Sequence, residues 1–322
     1  MRSTNNYEDG CQVAKNVIIK TKNALDIDRK VERVLKDLGN PEPPLDLEVV
    51  RELLKLDLEY YTAKDPGVLQ EVVSKMTMAG KQVLARPSRI LDAVRKWDLR
   101  ALYIPDLRKI LLDKDQPQLK YRWHEAHEVG HSLLPWHAGA MMGDNEHTLI
   151  PSCHEKLEAE ANFAAGRLLF LRDRFAEECL AQDPSFDALK ELKQTYGNTH
   201  TTTFWRGVET WGRERPILGL ITGHPHWIHR DTDFNPSQPC KHFVQSSAFA
   251  EKFSSVRETD VFDQVVDYCK GNKSGPLGEA DVVLTDDNGD SHLFHFESFS
   301  FYYQTLTLGV YQAPYRRLVA VA

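Results

Sequence analysis

The sequence predicts an α+β fold, in which a mainly helical domain with a small sheet is followed by a strand-rich domain. Its length of 322 residues suits roughly two domains with separate hydrophobic cores. Helical periodicity prevails as far as Trp211, whereas alternating apolar residues prevail after Pro216. The composition, with 41% hydrophobic and 27% charged residues, is that of an ordinary globular protein and argues against disorder or a fibrous repeat.

Three segments follow from these patterns. Residues 1–28 show no sustained periodicity, and we treat them as an N-terminal extension. Residues 29–215 make up the helical domain, and residues 216–322 make up the strand-rich domain, which begins where Pro216 interrupts the helical pattern. The formal net charge of -7 does not favour a nucleic-acid-binding protein, although a local basic patch is compatible with it.

The helical domain opens with two predicted helices. RKVERVLKDLG, from Arg29, spaces apolar residues along one face and stops at Gly39, before PEPP. LDLEVVRELLKLDLEYY predicts a second helix that runs into a short strand. ALYIPD and LRKILLD predict two strands joined by a turn, and this hairpin leads into the helix of YRWHEAHEVGHSLL.

Further helices follow in the same domain. A polar stretch over residues 139–152 is a candidate lid, and EKLEAEANFAAGRLLF after it has helical spacing. FDALKELKQTYGNTHTTTFWRGVETW predicts two short helices around Gly197. The length of this pair resembles a helix-turn-helix, but a helical hairpin packed on the domain is the commoner outcome.

The strand-rich domain is predicted to contain an antiparallel sheet. DVVLT and HLFHFESFSFYYQTLTLGVYQ flank an Asn288-Gly289 pair, which is a strong hairpin signal. The aromatic residues between His292 and Tyr303 could stack on bases, but their alternation favours a buried sheet face.

Cysteine usage and hydropathy indicate the compartment. The five cysteines are scattered without the spacing of a disulfide framework or a zinc ribbon, which indicates a reducing compartment; they are Cys11, Cys153, Cys179, Cys240 and Cys269. No apolar run approaches the roughly 18 residues of a membrane span, and the first residues are polar. We therefore expect a cytoplasmic protein without a membrane partner.

The strongest chemical signal is the run HEVGH. His127 and His131 are four residues apart, so on a helix both imidazoles project from the same face and can bind one tetrahedral zinc ion. Glu128 falls beside that metal, where its carboxylate can take a proton from water and return it to a leaving amine. The flanking Val129 and Leu133 indicate burial rather than a surface helix. A zinc peptidase site is therefore the leading hypothesis.

A third ligand is expected from the next predicted helix. Glu158 precedes Asn162 by one helical turn on a shared face, so Glu158 can complete the metal site while Asn162 orients a ligand histidine. Glu155 and Glu160 are competing candidates in the same helix, and we favour Glu158. Gly130 costs about 1 kcal/mol relative to alanine within a helix, which suggests that another backbone or a substrate approaches closely there.

Together, HEVGH and EAEANFAA resemble the ImmA/IrrE family of gluzincin-like metallopeptidases, whose pattern is HExxH followed by ExEANxFA. Glu158, Glu160 and Asn162 stand at matching positions of the second motif, and Val129 replaces the Leu that is usual within the first. The resemblance covers about residues 29–211. It implies a zincin-like fold and cleavage of a specific protein. The ligand types indicate zinc as the metal, and manganese is an alternative because metal preference follows supply as well as ligands.

The same resemblance implies a partner. Members of this family cleave or inactivate a helix-turn-helix repressor, so such a repressor is the expected substrate, and its loss would derepress stress, DNA-damage or phage-defence genes. Some relatives carry a GAF-like or PAS-like sheet domain, so residues 216–322 are expected to sense a nucleic-acid or small-molecule activator. The alternative is a non-catalytic regulator, in which zinc braces the fold and the protein sequesters a repressor or binds DNA.

Weaker candidates complete the predicted site. A thiolate at Cys153 could occupy the open zinc position and hold the peptidase inactive. Tyr196, His200 and His147 are possible oxyanion donors, and the sequence does not choose among them. A second group of metal-ligating residue types matches no zinc template cleanly, and satisfied or exposed histidines explain it better; its members are His224, His226, His229, Cys240 and His242.

Overall fold

The computed structural model describes residues 14–62, 101–141, 151–301 and 304–315. These ranges contain ten α-helices and two β-sheets, with the long strands in the C-terminal part of the chain, so the predicted α+β class is confirmed. None of the helices in these ranges has the length and apolar character needed to cross a membrane.

The chain divides into two compact units, which we call the helical unit and the sheet unit. The helical unit comprises residues 17–182 and 190–203, and the sheet unit comprises residues 1–16, 183–189 and 204–322. The division passes through two helices, α7 (Phe186–Tyr196) and α8 (His200–Trp211).

Among the described residues, six helices and three strands lie wholly within the helical unit. The helices are α1 (Thr21–Asp37), α2 (Leu47–Leu54), α3 (Gln118–Leu133), α4 (Pro135–Met141), α5 (Pro151–Leu169) and α6 (Asp173–Leu180). The strands are β2 (Asp57–Tyr61), β3 (Ala101–Ile104) and β4 (Lys109–Asp113), in the order β2-β4-β3. The central strand β4 pairs parallel with β2 and antiparallel with β3.

Local sequence signals account for most of these elements. The carboxylate of Asp46 accepts a hydrogen bond from the backbone N–H of Glu48 and caps α2. A short 3-10 turn at Pro105–Leu107 joins β3 to β4, which confirms the predicted hairpin. The helix α1 begins at Thr21, earlier than the periodicity from Arg29 indicated, because Ile27 extends its buried face by a further turn.

The predicted lid over residues 139–152 falls between two helices. Residues 139–141 belong to the end of α4, and residues 151 and 152 belong to the start of α5. Residues 142–150 lie outside the described residues, so the lid itself stays a prediction.

The sheet unit is built on a six-stranded sheet in the order β1-β6-β5-β9-β8-β7. Its strands are β1 (Ala14–Lys15), β5 (Ile217–Thr222), β6 (Cys240–Gln245), β7 (Gly275–Thr285), β8 (Ser291–Ser300) and β9 (Thr305–Pro314). All pairings are antiparallel except that of β1 with β6. The helices α9 (Ser247–Lys252) and α10 (Glu258–Tyr268) also lie wholly within this unit.

The predicted hairpin is confirmed, and the predicted buried aromatic face is confirmed for Phe294 and Phe296. Phe299 and Phe301 are partly exposed, and Tyr302 and Tyr303 lie outside the described residues. The turn between β7 and β8 contains Gly289 with a φ of +88°, and the Gly289 N–H donates to the Asp286 carbonyl. Phe294 and Phe296 alternate along β8 and are fully buried. Because these rings lie in the core, they offer no platform for bases. The GAF-like or PAS-like identity of this unit stays a prediction.

A close approach between α3 and α5 positions the candidate site in the helical unit. A Cβ atom added at Gly130 on α3 would lie 2.7 Å from the backbone carbonyl oxygen of Ala161 on α5. Ala126, Val129 and Ala164, which flank this point, are fully buried. The glycine therefore permits a helix contact that no larger residue allows, and the approaching group is a backbone, one of the two possibilities inferred from the sequence.

We expect Gly130→Ala to destabilise the protein, although alanine favours a helix by about 1 kcal/mol over glycine. The added Cβ meets backbone, which yields only if the helices separate, so a net loss of about 1–3 kcal/mol in the free energy of unfolding is expected. Denaturant unfolding followed by circular dichroism measures it. Gly223→Ala is the matched control, because a Cβ there meets no atom within 4 Å. Equal stability of Gly130→Ala and wild type would show that the close approach of α3 and α5 does not require glycine at position 130.

Candidate metal centre

Three predicted ligands converge between α3 and α5. The Nε2 atoms of His127 and His131 lie 3.1 Å apart. The carboxylate of Glu158 approaches both, with Oε2 at 3.0 Å from His127 Nε2 and Oε1 at 3.5 Å from His131 Nε2. Within the described ranges, these residues form the only group of three or more His, Cys, Asp or Glu side chains whose ligand atoms lie close enough to share a metal ion.

The spacing and chemistry of this group fit a zinc ion. Tetrahedral zinc with nitrogen and oxygen ligands at about 2.0–2.1 Å holds the ligand atoms about 3.3–3.4 Å from one another. The three measured separations, 3.1, 3.0 and 3.5 Å, fall around that value. The side chain of His131 is 4% exposed, whereas that of Glu158 is 40% exposed. The site is therefore anchored in the core and accessible from the Glu158 side.

Electrostatic pairing within the group prepares it for a cation. Burial alone would raise the pKa of Glu158, but hydrogen bonds from His127 and His131 outweigh it and hold that pKa well below its usual range. Burial would lower the pKa of His127, but its hydrogen bond to Glu158 and the nearby carboxylates raise it. The carboxylate of Glu158 is thus ionised and held against the two imidazoles.

Glu128 lies beside these ligands in a buried position. Its residue surface is 5% exposed, and burial raises the pKa of its carboxyl to about 7, while His127 opposes the shift. The carboxylate accepts a hydrogen bond from the backbone N–H of Tyr103 on β3. This bond, which the sequence did not indicate, holds the carboxylate between β3 and the ligand histidines.

Asn162 contacts His127 on the side of the imidazole ring that faces away from Glu158. Its Oδ1 atom lies 2.9 Å from the Nδ1 of His127, while the Nε2 of the same ring faces Glu158. An amide oxygen only accepts, so Nδ1 of His127 carries a proton in this contact. A metal would bind at Nε2, where it would replace the proton that this nitrogen donates to Glu158.

Two residues near His131 were missed as partners by sequence reasoning. His137 on α4 contacts His131, and Glu160 on α5 contacts His137. Burial lowers the pKa of His137 to about 4, so its imidazole is neutral at neutral pH. Burial would raise the pKa of Glu160, but hydrogen bonds from Trp136, His137 and Asn23 lower it. Glu160, weighed from sequence as a ligand, thus stands outside the candidate ligand set and contacts His137 instead.

The structure places the remaining predicted residues in varied settings. Tyr196 is fully buried among Phe170 and Phe175, and its hydroxyl donates to Glu178 at 3.0 Å. His200 begins α8, and burial lowers its pKa to about 4. Their roles as oxyanion donors stay predictions, as does that of His147, which lies outside the described residues.

Cys153 was expected in the linker but lies in the first turn of α5, because that helix begins at Pro151. Its inhibitory role stays a prediction. In the sheet unit, Cys240 is buried, and His224 and His229 each contact a backbone carbonyl oxygen, of Asn272 and Gly271 respectively. These contacts agree with the structural explanation preferred for that second group.

Replacement of Glu158 by Gln is expected to weaken zinc binding by more than about 100-fold, because it removes a ligand charge rather than a partner of a ligand. Competition with a chromophoric chelator measures the affinity. Glu155→Gln makes the same change one turn earlier in α5, at a competing ligand candidate, and is expected to bind zinc like wild type. If Glu155→Gln alone loses zinc affinity, the third ligand is Glu155 rather than Glu158.

Comparisons with known proteins add little beyond this geometry. No protein-family model matches the chain, and no curated protein matches it. Among solved structures, a Mycobacterium tuberculosis transcriptional regulator is similar with a TM-score of 0.48 and 14% sequence identity, over 89% of this chain and 88% of that chain. A likeness of this degree assigns no site residue and no activity to this chain.

Proposed function

We propose that this chain is a zinc-dependent metalloendopeptidase. The observation that supports the proposal is the convergence of His127 Nε2, His131 Nε2 and the Glu158 carboxylate, with the buried Glu128 beside them. A purely structural zinc site usually has four protein ligands, whereas a catalytic site has three and keeps a position for water or substrate. The buried carboxylate of Glu128 beside the three candidate ligands serves a catalytic site and has no use in a zinc-braced regulator, which favours catalysis.

The roles of the chain's own residues follow from this arrangement. A bound zinc ion would act as a Lewis acid that polarises the scissile carbonyl and activates water. His127, His131 and Glu158 would hold that ion, and Asn162 would keep the His127 ring oriented. Glu128, fixed by the Tyr103 N–H, would accept a proton from the attacking water and deliver it to the departing amide nitrogen.

The strand β3 offers a way to align a peptide at this site. Among the described residues it is an edge strand, since β4 pairs with only one of its sides. The Tyr103 N–H that binds Glu128 belongs to this strand. An extended substrate segment could add to such an edge through backbone hydrogen bonds, which would bring a peptide carbonyl near Glu128. A flexible or unfolded segment of the target protein suits this geometry best.

The resemblance to ImmA/IrrE peptidases supports a more specific substrate. We propose that the target is a helix-turn-helix transcriptional repressor, whose cleavage derepresses stress, DNA-damage or phage-defence genes. The sheet unit would then regulate cleavage in response to a small-molecule or nucleic-acid activator. Manganese could replace zinc, because metal choice in a cell follows supply as well as ligand type.

Glu128→Gln is expected to retain zinc and to lose cleavage by about 10²- to 10⁴-fold, because glutamine cannot shuttle the proton. The assay follows cleavage of the helix-turn-helix protein encoded beside the gene, with zinc and with manganese. Glu177→Gln, on the exposed surface of α6, makes the same chemical change and is expected to cleave normally. If neither wild type nor Glu128→Gln cleaves the repressor and both inactivate it equally, sequestration of the repressor is favoured instead.

A further inference from the structure

A buried carboxylate outside the ligand set lies close to the proposed metal centre. Glu160 is 1% exposed, and both of its carboxylate oxygens accept hydrogen bonds. Its Oε1 accepts from the Asn23 amide at 2.7 Å, and its Oε2 accepts from the Trp136 indole N–H at 2.7 Å. Lys156 Nζ lies at 3.7 Å. A buried charge is expensive unless it is paired, so a network this complete calls for an explanation.

His137 connects this carboxylate to a proposed metal ligand. Its imidazole is fully buried, and its Nε2 lies 3.1 Å from Glu160 Oε2. Its Nδ1 lies 2.9 Å from the Nδ1 of His131. The contacts therefore form a chain from Glu160 through His137 to His131, whose remaining nitrogen, Nε2, faces Glu158.

Only one assignment of protons satisfies this chain when His131 binds a metal. A ligand nitrogen carries no proton, so Nε2 of His131 is bare and Nδ1 carries the proton. That N–H then donates to His137 Nδ1, which must be bare. The proton of His137 consequently resides on Nε2, where it donates to the Glu160 carboxylate. Each step uses a contact of hydrogen-bonding length.

We propose that His137 and Glu160 are positioning residues of the metal centre, which lock the ring of His131 and hold it in the tautomer that binds metal through Nε2. This proposal rests on the proposed metal site. It makes the two ligand histidines unequal, because His127 is oriented by the neutral amide of the exposed Asn162. His131 is instead oriented through a buried relay that ends in a carboxylate.

The hydrogen-bonded chain of Glu160, His137 and His131 also connects α1 to the proposed metal centre. Asn23, in the first turns of α1, donates to the same carboxylate that orients His137. Residues 21–28, which the sequence assigned to an N-terminal extension, thus include a residue that supports the site.

The test compares zinc affinity of full-length variants with the stability of their metal-free forms. Removal of a partner of a ligand typically costs about 10- to 100-fold in metal affinity. We expect a loss in that range for His137→Leu, which removes both contacts, and for Glu160→Gln, which removes the charge. His137→Asn keeps an acceptor near His131 Nδ1 and is expected to recover part of the affinity. Lys156→Gln, which removes only the distant and largely exposed cation, is expected to bind like wild type.

A second readout separates positioning from structural support. The absorption spectrum of the cobalt-loaded protein reports ligand geometry, and we expect it to change in His137→Leu and Glu160→Gln but not in Lys156→Gln. If His137→Leu fails to fold, His137→Asn and Glu160→Gln decide the question. Wild-type zinc affinity and an unchanged cobalt spectrum in these two variants would overturn the proposal while leaving the metal centre intact. Absence of metal binding by wild type would overturn both this proposal and the proposed metal centre.

Discussion

The close approach of α3 and α5 at Gly130 is the constraint on which the site depends. The Ala161 carbonyl oxygen occupies space that any side chain at position 130 would need. His131 directly follows Gly130 on one helix, and Glu160 and Asn162 flank Ala161 on the other. A shift of either helix by even one residue would move the ligands away from their partners. The glycine therefore fixes the register in which histidines and carboxylates meet.

The second requirement is the pairing of buried polar groups around that contact. Glu128 and Glu160 are both nearly inaccessible, and each has defined donors: the Tyr103 N–H for the former, and the Asn23 amide and the Trp136 indole for the latter. Unpaired, such groups would cost several kcal/mol each. Because the donors come from a strand and from two other helices, the site is stable only when the whole helical unit is assembled.

Local signals were sufficient to predict much of this from sequence. The spacing of His127 and His131 follows from helix geometry, and the hairpin at Asn288-Gly289 follows from turn chemistry. The interaction of Asn162 with His127 could be anticipated because a ligand histidine needs a partner for its other nitrogen. Each of these inferences depends on residues within one element or on a general rule of metal sites.

Other features depend on pairings between distant parts of the chain, which spacing alone cannot reveal. Glu160 pairs with Asn23 across 137 positions, so the contact between α1 and the site had no local signature. His137 comes after the HEVGH motif and beyond Pro135, and this spacing does not indicate that its side chain contacts His131. The sequence offered one hint of this network. Glu160 lies two residues from the proposed ligand Glu158, and a buried carboxylate at such a position needs hydrogen-bond partners.

X-ray absorption at the zinc edge of the purified, zinc-loaded protein tests the central claim most directly. We expect two imidazole nitrogens and one or two oxygens, all at about 2.0–2.1 Å, with the signature of ring scattering from His127 and His131. A shell without imidazole, or one in which sulfur neighbours at about 2.3 Å replace the two imidazoles, would contradict a centre formed by His127, His131 and Glu158.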